Sequence, residues 1–113
     1  MRNDTEWLKD ILEEIALIEK YSVQGEEAFQ RDELIQTWMI HHLQIIGEAA
    51  GKLSEYLRQK YPSIQWRDII SMRNFIVHQY FGVDLDEIWN TVTYDIPVLK
   101  NNIIQILKDA GNS

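Results

Sequence analysis

Apolar residues recur along this chain at the spacing of helices. Trp7, Leu8, Ile11, Leu12, Ile15 and Ile18 make one stripe, Glu6, Lys9, Asp10 and Glu13 lie opposite, and Asp4 stands where an N-cap belongs. The pattern predicts a first helix ending near Tyr21, broken by Ser22 to Gly25. A longer run from about Arg31 to Lys60 carries Leu34, Ile35, Trp38, Met39, His42, Ile45, Ile46, Ala49, Leu53, Tyr56 and Leu57. Ile40 and Leu43 widen its arc, the mark of a central helix with neighbours on several sides. Gly47, Ala49, Ala50 and Gly51 form a small-residue patch that lets another helix pack closely.

Tyr61-Pro62-Ser63 is a stop, because proline disfavours helix in the residue before it. A short segment, Gln65 to Ile70, leads into an element over Ser71 to Phe81 that Gly82 ends. Asp84 with Glu87 three residues on resembles a capping box and opens the last helix, with Ile88, Trp89, Val92, Ile96, Leu99, Ile103, Ile106 and Leu107 on its apolar side. Pro97 inside that helix predicts a kink, since its ring clashes with the carbonyl of Thr93. No strand alternation or repeat is present. The expectation is an all-α fold, an up-down bundle of four to five helices with a kinked last helix, in a single domain over residues 1–113.

Charge changes this picture locally. Lys and Arg number 11 against 18 Asp and Glu, a net charge of −7, which excludes a globally basic nucleic-acid-binding protein. From Lys52 to Tyr80, however, Lys52, Arg58, Lys60, Arg67 and Arg73 stand against only Glu55 and Asp68. That window is +3 and the rest of the chain −10, so a polyanion is expected to meet the middle of the chain. The absence of cysteine removes disulfide scaffolds, cysteine-ligated zinc, iron–sulfur clusters and thiol catalysis. Met1 to Glu19 is acidic and amphipathic, without the features of a secretory leader, and no stretch approaches the ~20 apolar residues of a membrane span. A cytoplasmic protein without a membrane role is expected.

The histidines divide. His41 and His42 are adjacent and point about 100° apart on a helix, a poor arrangement for one metal. His42, on the apolar stripe, reads as a core or interface histidine with a satisfied hydrogen bond. His78 lies in Ser71-Met72-Arg73-Asn74-Phe75-Ile76-Val77-His78-Gln79-Tyr80. On an α-helix Asn74 and His78 are i, i+4 neighbours, and Arg73 and Tyr80 share an adjacent ridge. A guanidinium holds a phosphate bidentately, an imidazole moves a proton near neutrality, and an amide orients either. That set suits phosphodiester chemistry, although a solvated polar helix face has the same composition. Trp38, Trp66 and Trp89 read as core residues, and Glu48 as a cap or interface contact.

Arg73-Asn74-x-x-x-His78-x-Tyr80 resembles the Arg-x4-His-x-Tyr motif of HEPN proteins of the HepT type. Gln44 to Ala50, Pro62 to Ile70 and Val83 to Trp89 are similar to other segments of that family, in the same order. The resemblance implies a HEPN bundle that forms a homodimer, with two motifs facing each other in a composite endoribonuclease site. It assigns catalysis to Arg73 and His78 and implies the toxin half of a toxin–antitoxin pair. Asn74 is expected to assist as an orienting or phosphate-binding group. The implied partner is a small nucleotidyltransferase antitoxin (MNT type) that transfers AMP to Tyr80. Read without the resemblance, Tyr80 packs and hydrogen-bonds at a cleft. The substrate implied is RNA and not DNA, because the 2′-hydroxyl is the nucleophile. No metal or other cofactor is expected, since no carboxylate cluster accompanies the motif. The competing expectation is a non-catalytic nucleotide- or substrate-binding subunit of a nucleotidyltransferase, with Arg73 and His78 binding phosphate without cutting it.

Overall fold

The computed structural model describes residues 2–78 and 84–111, together with the side chains of all of these except 76–78. Among them the chain is all-α. Helix α1 (Asp4–Ser22) is followed by the short α2 (Glu26–Arg31), the central α3 (Glu33–Gly51) and the short α4 (Glu55–Lys60). Helix α5 (Trp66–Ser71) runs straight on into a 3-10 segment, Met72–His78. Helix α6 (Leu85–Asn90), a π turn over Thr91–Asp95 and α7 (Ile96–Gly111) complete the bundle. Its four legs are α1, α3, the α5/3-10 rod and the α6–α7 pair, with α2 and α4 as helical connectors.

Helix α3 is the axis of the fold. Helix α1 packs along one flank and the α5/3-10 rod along another, while α7 lies against α1. Met39, Leu43, Ile46 and Ala50 of α3 are fully or nearly fully buried against Ile11, Ile15 and Ile18 of α1, Phe29 of α2, and Ile96 and Ile103 of α7. Each large aliphatic side chain removed from water here contributes about 1.5–3 kcal/mol before entropy is counted. Trp66 is buried, and Trp38 and Trp89 pack against the core. The Trp38 indole N–H donates to the Leu17 carbonyl over 2.7 Å, and Trp89 lies 5.3 Å from Phe29, centroid to centroid.

Three boundaries differ from the sequence reading, each for a local reason. Asn3, not Asp4, caps α1, its side chain accepting from the Glu6 N–H over 2.9 Å. The Asp4 carboxylate is drawn away to accept from the backbone N–H and the hydroxyl of Ser54, at 2.8 and 2.6 Å. The long second run is two helices, α3 and α4, and the short α2 ends where that run was expected to begin. Asp32 caps α3 through the Leu34 N–H and Ser54 caps α4 through the Leu57 N–H, while Gly25, at a φ of 95°, turns the chain before α2. The kink expected at Pro97 is a π turn just before it. The Ile96 N–H reaches back five residues to the Thr91 carbonyl, which widens the helix where the proline ring would meet the Thr93 carbonyl. Asp84 caps α6 as expected, accepting from the Asp86 and Glu87 N–H groups.

His42 is the core histidine that its place on the apolar stripe implies. It is buried, pairs through Nδ1 with the Glu14 carboxylate of α1, and meets the edge of Trp38 at 4.5 Å. Glu14→Ala leaves that ring without its partner, at a cost of about 1–3 kcal/mol. Urea unfolding should show this loss, whereas Glu13→Ala on the exposed side of the same helix should change stability little.

Candidate active site

The motif segment is held by its neighbours rather than by its own helicity. Upstream, the Trp66 indole donates to the Tyr61 carbonyl at 3.0 Å, and the Tyr61 hydroxyl donates to Asp109 near the end of α7 at 3.0 Å. Hydrogen bonds from Gln105 and then from Tyr61 hold the Asp109 carboxyl below its ordinary range. This fixes where α5 begins. Downstream, a helix of three residues per turn brings i and i+3 into line, and Met72 and Phe75 use that spacing to face the core together. Arg73 and Asn74 lie between them and are exposed.

Contact with α3 is backbone to backbone. A Cβ placed on Gly47 would collide with the Arg73 nitrogen and lie 2.9 Å from the Ile70 carbonyl oxygen. Only glycine lets the two elements meet at that depth. One turn along α3, the Arg73 Nη1 lies 3.6 Å from the position of a Cβ on Gly51. The arginine therefore lies along a glycine bed, its root at Gly47 and its guanidinium at Gly51. Among the described residues that guanidinium has no hydrogen bond and no ion pair. A positioned, uncompensated guanidinium is suited to binding an oxyanion bidentately.

The structure thus brings Arg73 and Asn74 to one exposed stretch. His78 closes the 3-10 segment, but its side chain lies outside the described residues, as does Tyr80 altogether. The i, i+4 register expected for Asn74 and His78 is that of an α-helix, and the backbone here is 3-10 instead. The sequence reading named Arg67 as part of the basic window but not as a site residue. It is exposed on α5 and lacks an ion pair among the described residues, and its distance of seven residues from Asn74 was the available signal. Among the described residues no group of His, Asp and Glu is arranged to hold a metal ion, and no helix is long and apolar enough to cross a membrane.

A small helical bundle offering an arginine, an amide and a histidine-terminated 3-10 segment fits the class of helical proteins that handle phosphodiesters. Comparison with known proteins gives the family. The profile of the ribonuclease HepT-like family matches residues 11–106, and the chain belongs to that family. Over 108 residues it is 38% identical to a Thermococcus cleftensis protein named a probable ribonuclease HepT, covering 95% of this chain and 98% of that one. It is 34% identical over 109 residues to a candidate RNase of Caldanaerobacter subterraneus, covering 96% and 97%. A Methanocaldococcus jannaschii protein, named for a gamma-glutamylcyclotransferase and a candidate RNase together, is 40% identical over 111 residues. That match covers 96% of this chain, which spans 50% of the relative's length. No solved structure matches the chain.

The glycine bed is open to direct test. Gly47→Ala must push α3 and the Arg73 segment apart and should lower stability by about 1–3 kcal/mol in urea titration. Gly51→Ala places its methyl in ordinary contact and should leave stability within about 1 kcal/mol of the parent.

Proposed function

We propose that this chain is an endoribonuclease and the toxin half of a type II toxin–antitoxin pair. The observation that carries the reading is the Arg73 guanidinium, seated on Gly51 without an anionic partner among the described residues, in a chain of the ribonuclease HepT-like family. The substrate is RNA, and its own 2′-hydroxyl is the nucleophile. That oxygen attacks the adjacent phosphorus, the bond from phosphorus to the 5′-oxygen breaks, and the products carry a 2′,3′-cyclic phosphate and a 5′-hydroxyl. A proton leaves the 2′-oxygen and one arrives at the 5′-oxygen. His78 is the group proposed to move them, each transfer being worth roughly 10²–10⁴-fold. Arg73 binds the phosphate and stabilises the charge that builds on it, and Asn74 orients the phosphate or the imidazole.

The site is proposed to be composite, completed by a second copy so that one histidine serves as acid and the other as base. The partner is a nucleotidyltransferase antitoxin of the MNT type that adds AMP to Tyr80. The added nucleotide brings bulk and negative charge next to Arg73 and so competes with the RNA phosphates. No metal is assigned to the reaction, since a guanidinium and an imidazole supply both the charge and the proton transfers. The compartment that fits RNA and such a partner is the cytoplasm.

The test is RNA cleavage by the purified chain in EDTA, with a DNA strand of the same sequence alongside. Cleavage of RNA alone, with loss of at least 10²-fold in His78→Ala and Arg73→Ala, is the expected result. Strict metal dependence would sink the mechanism, and no cleavage by a dimeric, unmodified wild type would favour the non-catalytic subunit. For the modification, intact mass after incubation with ATP and the cognate antitoxin should rise by AMP units in the wild type and not in Tyr80→Phe.

A further inference from the structure

The basic residues of this chain are not used alike. Arg2 is paired with Glu6 and Asp10, Arg31 with Glu27, and Lys100 with Glu19. All three lie outside the +3 window. Inside it, Arg58, Arg67 and Arg73 have no ion pair among the described residues. In a chain of net charge −7, the two arginines outside the window, Arg2 and Arg31, are neutralised by carboxylates and the three inside it are not, so positive potential is left at the latter.

Packing decides where Arg67 stands relative to Arg73. Asp68, Ile69 and Met72 line a groove of about 210 Å³ toward α7. Ile70 and Arg73 instead reach Gly51 on α3. At ~100° per residue, Arg67 follows Ile70 around the rod by about 60°, on the side away from the α7 groove. Arg67, Ser71 and Asn74 are all exposed there, and they form an outer ridge that borders the Arg73 edge. Arg67 and Arg73 are six residues apart, about 10 Å along the rod. Two long side chains at that separation can engage successive phosphates of one strand. No carboxylate stands among Arg67, Ser71 and Asn74, and Asp68, about 100° round the rod from Arg67, lines the α7 groove.

We propose that the Arg67–Ser71–Asn74 ridge is a binding track for the backbone of single-stranded RNA, with Arg67 holding a phosphate next to the one that Arg73 engages. The track rests on the ribonuclease reading for the identity of its ligand, but its binding role is separable from cleavage. Contacts of this kind carry no sequence preference and release counterions, so they show as salt dependence.

The experiment is fluorescence anisotropy with a labelled single-stranded oligoribonucleotide whose every 2′-hydroxyl is methylated, titrated across a range of salt. Such a strand binds but offers no nucleophile. Each phosphate contact to a single strand contributes about −0.7 to the slope of log K against log salt. Arg67→Gln should weaken binding and make the slope shallower by about 0.7, and Arg67→Lys should restore it. Arg31→Gln, at a paired site, should match the wild type in slope and affinity. An Arg67→Gln variant with wild-type slope and affinity overturns the track, as does a wild type with no affinity for the strand, which would leave the ridge to an acidic protein. A slope change at Arg67 in a wild type that cuts no RNA upholds the track and removes the ribonuclease reading. Cleavage by a wild type whose binding ignores Arg67 does the reverse.

Discussion

The close approach of α3 to the Arg73 segment at Gly47 is the constraint on which the rest of the structure depends. A side chain of any size there would collide with the backbone of residues 69 to 73. Because two backbones meet, the α5/3-10 rod has one depth and one register on α3, and the direction of Arg73 follows from that register. The Arg73 Nη1 then comes to 3.6 Å from where a Cβ on Gly51 would stand, so the guanidinium reaches α3 one turn further along. A glycine inside a helix weakens it by about 1 kcal/mol relative to alanine. Helix α3 tolerates this because burial on several flanks holds it, so the local weakness is offset by the tertiary packing that the glycine permits.

Polar groups inside the bundle secure the other flank. The His42–Glu14 pair and the Trp38 hydrogen bond both join α1 to α3, and the Asp4 carboxylate ties the first turn of α1 to the cap of α4. Among the described residues no buried side-chain nitrogen or oxygen lacks a partner. These bonds add direction to a core of aliphatic side chains that would otherwise slide, since dispersion and burial do not fix an angle. The bundle is therefore rigid where α1 meets α3, and that rigidity is passed through α3 to the glycine bed on its other side.

Much of this was legible in the sequence because period and composition report burial. The stripes of α1, α3 and α7, the role of His42, the small-residue patch at residues 47 to 51 and the Asp84 cap all follow from side-chain type at helical spacing. What the sequence hid depends on competition between partners. Asp4 and Asn3 are both good caps, and only the distant Ser54 decides which of them performs that task. The break between α3 and α4 hides because Leu53 and Leu57 continue the apolar period across it. The 3-10 winding of residues 72 to 78 hides for a related reason. Met72 and Phe75 satisfy a three-residue spacing as well as an α-helical one, and packing on α3 chooses. At the candidate site, the motif offered Arg73 and His78 as expectations, whereas the use of glycine backbone as the bed for Arg73 needed coordinates.

Charge pairing completes the argument from fold to function. A solvent-exposed ion pair contributes at most about 1 kcal/mol, so the stability of this bundle does not require Arg2 or Arg31 to be neutralised, nor Arg67 and Arg73 to be free. The distribution is better understood through what each arrangement does to the field. Pairing Arg2 and Arg31 with local carboxylates reduces their potential in solution, whereas Arg67 and Arg73 keep theirs in a chain that is acidic as a whole. Positive charge left over at Arg67 and Arg73 attracts a polyanion, with a strength that falls as salt rises. The acidic bulk of the chain, which argues against a nucleic-acid-binding protein when composition alone is considered, then sharpens the contrast at the site.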